Sequence, residues 1–192
     1  MSEREQSKPV ILPVRATGHS AVLKAAGGAS LRPIQLNDEP EVLALIGRVA
    51  VLSAYVERLL DRMIWQLLRL GPIEGAVQTR SLPNLEQRFD RILALGAEQG
   101  LPDTLLMRLP ELRRRAIALG EARARIIHDP WYVETDSGRS AQFRAMPKRA
   151  ATPIFDFVHV APEEVRNVLE DQVKLWNDLA PIHDEIADLM VV

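Results

Sequence analysis

The chain has 192 residues, 24 lysines and arginines against 26 aspartates and glutamates, and a formal net charge of -2, so no global field draws it to nucleic acid or to an anionic membrane. It contains no cysteine and four scattered histidines, His19, His128, His159 and His183, which excludes disulfides and thiolate sites and leaves no metal-ligand spacing, so neither a metal nor another cofactor is expected. No stretch approaches the roughly 18 apolar residues of a membrane span, and a cytoplasmic protein without a membrane partner is expected.

Residues 1–37 carry Pro9, Pro13, Pro33, Gly18, Gly27 and Gly28 among short apolar pieces with no sustained period. They read as an arm, extended or partly disordered, in which "VILPV" is a candidate for docking on the body or on a second subunit. Residues 38–192 read as one helical domain. Asn37 and Asp38 are cap candidates for a first helix that opens at Pro40 and Glu41. Its apolar residues, from Val42 and Leu45 through Leu52, Val56 and Leu60 to Leu67, recur at three- and four-residue steps until Gly71-Pro72. The helix spans some 30 residues with a wide stripe, which suits packing on two sides, one of them a partner subunit.

A second helix is expected from about Pro83 to Gln99, with Gly100 ending it. A third runs from Pro102-Asp103 to His128, and Pro110 should kink it or split off a short first piece. "WYVE", "AQFRAM" and "FDFVHV" then read as two or three strands of a small β-hairpin insert at about 131–160. A last helix opens at Pro162, with Pro181 expected to bend it. The fold class is therefore mainly α, a four-helix antiparallel bundle with a hairpin between the third and fourth helices.

The stretch "EARARIIHDPWY", residues 121–132, is the best candidate site. Leu112, Ala116, Leu119 and Ile126 step along one face of the third helix and Arg123 falls on the same line, where a guanidinium needs a partner or a cleft. Glu57, in "YVERLLDR" of the first helix, is one candidate partner. His128 lies five residues on, about 140° around a regular helix, in a last turn that Asp129-Pro130 must terminate. Glu121, Arg125 and His128 form an alternative grouping on one face. A structural reading is available for all of these: a histidine at the negative helix end is favourable without chemistry, Trp131 stacks on it, and Glu121 with Arg125 is an ordinary surface ion pair. The functional reading is that an arginine and a histidine together bind a phosphodiester and move a proton near neutral pH.

Arg123, four residues, then His128, at the end of the third helix of such a bundle, resembles the HEPN superfamily (higher eukaryotes and prokaryotes nucleotide-binding domains), whose motif is an arginine, four to six residues, then a histidine. The resemblance covers about Pro40 to Pro130 and the last helix. It implies a homodimer in which two copies of the motif meet in one cleft, and a metal-independent endoribonuclease or RNA-binding activity. In that case His128 is the general base toward a ribose 2′-hydroxyl, Arg123 holds the scissile phosphate and the product carries a cyclic phosphate. Ala124 stands where the family usually has a polar residue, typically asparagine. Around this pair, Arg125, Arg144 and Trp131 are candidate substrate contacts, and Glu57 and Glu121 are candidate supporting residues. Arg108, Arg113, Arg114 and Arg115 make a basic turn, and Arg139, Arg144, Lys148 and Arg149 a second positive group with Phe143 available to stack on a base. The rival expectation is a non-catalytic homodimeric interaction module, with a protein partner such as an antitoxin, in which the motif is structural. A nucleotide-binding bundle without hydrolysis is a third, but no glycine-rich phosphate loop supports it.

Overall fold

A computed structural model describes residues 23–24, 29–35, 37–146 and 154–190. The "VILPV" segment, Lys148 and Arg149 lie outside the described residues. The protein is mainly helical with a small antiparallel sheet, in the order β1 (Leu23–Lys24), β2 (Ser30–Pro33), α1 (Pro40–Leu67), α2 (Pro72–Thr79), α3 (Leu85–Glu98), α4 (Asp103–Leu106), α5 (Leu109–His128), β3 (Trp131–Glu134), β4 (Ser140–Met146), β5 (Ile154–His159) and α6 (Pro162–Met190). Two compact units result. One joins the described residues up to Leu43 with those of His128–Pro162, and the other joins Ala44–Ile127 with the described residues from Glu163 onward.

In the helical unit the apolar stripes read from the sequence meet in one core. Val56, Leu60, Met63 and Leu67 of α1 pack with Phe89, Ile92 and Leu95 of α3, Leu109, Leu112 and Ala116 of α5, and Leu175, Leu179, Ile182 and Ile186 of α6. Each such side chain taken from water contributes roughly 1.5–3 kcal/mol before the entropy of ordering it is counted. Beside this core, Arg88, 9% exposed, donates Nε–H to Asp61 Oδ1 at 2.8 Å and joins α3 to α1. The helix ends follow local chemistry. Asn84 caps α3 by accepting from Gln87 N at 2.9 Å, and Gly100, at φ +71°, closes it in a Schellman motif, with Leu101 N donating to Gly96 O at 2.9 Å.

The first helix ends differently from the expectation at Gly71. Arg69 itself takes the left-handed conformation at φ 55°, and Leu70 N donates to Trp65 O at 2.9 Å. Pro110 splits the third predicted helix: α4 is one short turn, and α5 starts at Leu109 with Pro110 in its first turn, where the missing N–H costs nothing. Pro181 stays inside the continuous α6. An additional helix, α2, fills the stretch after Gly71. It docks closely enough that a Cβ on Gly75 would lie 2.4 Å from Cγ of Trp65, a side chain 5% exposed whose Nε1 donates to Thr79 Oγ1 at 3.3 Å. Gly75→Ala is expected to lower stability by roughly 1–3 kcal/mol despite its better helix propensity, because the overpacked ring or α2 must move. A denaturant melt reads this as a lower midpoint.

The segment read as a hairpin insert is the larger part of a five-stranded sheet in the order β1-β2-β3-β4-β5, antiparallel throughout. Its remaining two strands come from the segment read as an arm. Leu31 lies opposite Glu134 and Arg32 opposite Val133. This pairing satisfies an edge of β3 that a hairpin alone would leave open. Gly138, at φ +71°, closes the β3–β4 turn, in which the Glu134 carboxylate accepts from the Ser137 hydroxyl and from Arg139.

Asp38 does not cap α1 through its side chain. Its two oxygens accept from Arg32 Nη1 and Nη2 at 2.5 and 2.7 Å, and Gln35 N donates to Oδ2 at 2.7 Å. The Arg32 guanidinium first, and the Gln35 amide second, hold the Asp38 carboxyl below its ordinary range. A depressed carboxyl stabilises the fold fully above its unfolded pKa and loses that contribution as the pH falls through its folded one. Asp38→Asn should therefore lower the melting temperature at neutral pH, and the difference from the parent should shrink on acidification below about pH 4.

Candidate functional site

α5 takes "LPELRRRAIALGEARARIIH" as far as His128 and stops there, because Asp129 precedes Pro130 and is driven out of helical geometry; β3 starts at Trp131. Along the helix Leu112, Ala116 and Ile126 are buried. Arg123, on the same line, is half-buried, and its Nη2 donates to Glu57 Oε1 of α1 at 3.2 Å, with side-chain exposures of 31% and 34%. At that exposure the ion pair is worth about 1 kcal/mol or less. Arg123 Nε is buried without a hydrogen-bond partner.

Arg123 and Glu57 line a cavity of about 350 Å³ in the helical unit, and Glu121 joins them on its wall. So do two residues that the sequence did not single out, Ser53 of α1 and Gln172 of α6. Gln172 Nε2 donates to Ser53 Oγ at 2.8 Å, and Ser53 Oγ donates to the Val49 carbonyl at 2.7 Å. Both side chains are buried, at 4% and 6% exposure. The available signal was a polar residue inside an apolar stripe: Ser53 between Leu52 and Val56, Gln172 between Leu169 and Leu175.

Glu121, Arg125 and His128 are all exposed, so the alternative grouping is the solvent face of α5. His128 is the last residue of the helix. Arg144 and Trp131 belong to the sheet unit. Arg144 donates Nε–H and Nη2–H to Gln142 Oε1 at 2.8 and 2.5 Å, and Trp131 is opposite Gln142 in register, which puts all three on one face of the sheet. Phe143 is on the other face. Its ring lies 5.0 Å from that of Phe157, which in turn meets Tyr132 at 5.1 Å, so Phe143 packs on a neighbouring strand.

The basic turn of α5 is neutralised in place. Arg113 is paired with Glu86 and Asp90, Arg114 with Glu111, Arg115 with Asp178 and Arg108 with Glu185. Arg139 is paired with Glu134. Among the described residues no group of three or more histidines and carboxylates is placed to hold a metal ion, and no helix is long and apolar enough to cross a membrane. No protein-family model, no curated protein and no solved structure matches this chain.

Proposed function

We propose that the protein is a metal-independent endoribonuclease or RNA-binding protein of the HEPN type, in which α1, α3, α5 and α6 form a four-helix antiparallel bundle and the ends of two α5 helices meet in a homodimer cleft. The observation that carries this reading is His128: it is exposed, it is the final residue of α5, and it follows Arg123 by five residues on the same helix. A reachable imidazole is what a general base toward a ribose 2′-hydroxyl requires. Arg123 supplies a guanidinium for phosphate, with a fork geometry that suits paired oxygens. Arg125, exposed two residues later, is the nearest candidate for a further phosphate contact. The homodimer is supported by apolar side chains left in water on α1 and α6: Val51 and Tyr55, 54% and 58% exposed, and Val173 at 43%, with the Tyr55 ring 6.1 Å from Trp176.

A second reading is favoured by the Arg123–Glu57 pair. An arginine already matched to a carboxylate has less to give to phosphate, and the motif then serves to order the end of α5 in a non-catalytic homodimeric interaction module, with a protein such as an antitoxin as partner. The test incubates the purified protein with mixed single-stranded and transfer RNA in EDTA and identifies product ends, with sedimentation in parallel. Cleavage leaving cyclic phosphate ends supports the ribonuclease. A folded dimer that neither cuts nor binds these RNAs supports the module.

A further inference from the structure

We infer that Glu57 is an autoinhibitory side chain: its carboxylate occupies the edge of the Arg123 guanidinium that an RNA phosphate must take, so that RNA engages Arg123 only by displacing it. The inference rests on the reading of Arg123 as a phosphate contact, and it adds how that contact is regulated.

The geometry of one guanidinium carries it. An arginine recognises phosphate best when two N–H groups of one edge meet two oxygens together. Arg123 has two such edges, Nε with Nη2 and Nη1 with Nη2. The first is closed, since Nε is buried. The second remains, and its Nη2 is the nitrogen that donates to Glu57 Oε1 at 3.2 Å. A phosphate seeking paired donors must therefore share Nη2 with a carboxylate or take it over. Sharing is unfavourable, because it sets two anions side by side against one nitrogen. In the resting chain the motif arginine is thus neutralised from within.

The contact is also loose enough to open. Both side chains are half-buried, and the single bond between them, at 3.2 Å, is longer than the 2.6–2.8 Å pairs that hold Arg108, Arg113, Arg114 and Arg115. Among the described residues the Glu57 carboxylate has no other hydrogen-bond or ion-pair partner. Nothing else fixes it against Arg123, so a competing anion can move it aside.

The probe is a labelled single-stranded RNA of mixed sequence with methylated 2′-hydroxyls, which leaves no nucleophile for cleavage. Binding is read by fluorescence anisotropy on four full-length chains: the parent, Glu57→Gln, Arg123→Ala and the double variant. Glu57→Gln keeps the size of the side chain and one acceptor while removing the charge, and it should tighten binding about three- to fivefold, the scale of a partly exposed ion pair. In the Arg123→Ala background the same substitution should change binding by less than about twofold, because no guanidinium is left to release. A parent that binds RNA and a Glu57→Gln chain that binds no tighter overturn the inference and leave the RNA reading standing. An equal gain with and without Arg123 also overturns it, since Glu57 then acts only as a repelling charge. No binding by the parent or by Glu57→Gln removes the RNA reading and this inference with it. Melts establish that each chain is folded, and Arg123→Gln replaces Arg123→Ala if the latter does not fold.

Discussion

Under the proposed ribonuclease reading, His128→Ala is expected to reduce RNA cleavage by about 10²–10⁴-fold, the range a positioned general base supplies, while moving the melting temperature by no more than roughly 2 °C. The small thermal effect follows from position: His128 is exposed and terminal on α5, and surface substitutions of that kind stay within about 0.5 kcal/mol. Single-turnover cleavage and RNA binding should be measured together, because the two candidate residues separate there. Loss of His128 removes the proton acceptor and should leave binding nearly unchanged. Under the same reading Arg123→Ala removes a phosphate contact and should weaken binding and cleavage alike. Arg123→Ala also releases Glu57 from its only described ion pair, so its stability must be followed by a melt. Under the interaction-module reading the same two substitutions leave RNA untouched, and Arg123→Ala is felt in the melt or in the dimer equilibrium alone. A parent that cuts RNA and a His128→Ala chain that cuts it equally well would remove His128 from the chemistry.

Phe89→Ala should cost about 3–5 kcal/mol, a large share of the 5–15 kcal/mol that holds a typical domain. Phe89 is wholly buried in α3, in the core that α1, α5 and α6 share. Truncating it removes apolar area from the folded state and leaves a void that four helices close only in part. The melting temperature should fall by roughly 6–20 °C, and the urea midpoint should fall with little change in slope. Phe89→Leu, closer in volume, should recover most of the loss. A Phe89→Ala chain within 1 kcal/mol of the parent would mean that α3 does not pack on the core as described.

The helices were legible because their cause is local. The three- and four-residue recurrence of Val56, Leu60, Met63 and Leu67 marks the buried face of α1, and the same stripe logic holds for Leu175, Leu179 and Ile182 in α6. Asn84 and Gly100 punctuate α3 by backbone chemistry that each carries within itself. Arg69 was not legible as a helix end, since nothing about an arginine announces a positive φ. α2 was missed because eight residues flanked by glycine and proline carry too little periodicity to be told from a loop.

What the sequence determined by itself was the four long amphipathic helices α1, α3, α5 and α6, the strand-forming character of residues 131–159 and the termination of α5 just after His128, all fixed by side-chain periodicity or by proline sterics within a few residues. Only the tertiary structure decided which remote partners those segments found. It brought Arg123 to Glu57, 66 residues away, and Gln172 to Ser53, 119 residues away. It also added β1 and β2 to the three later strands, making a five-stranded sheet. The physical reason is that an unpaired strand edge, a half-buried guanidinium and a buried carboxamide each demand a partner without specifying one. Which group answers depends on how the helices and strands pack, and packing is a property of the whole chain.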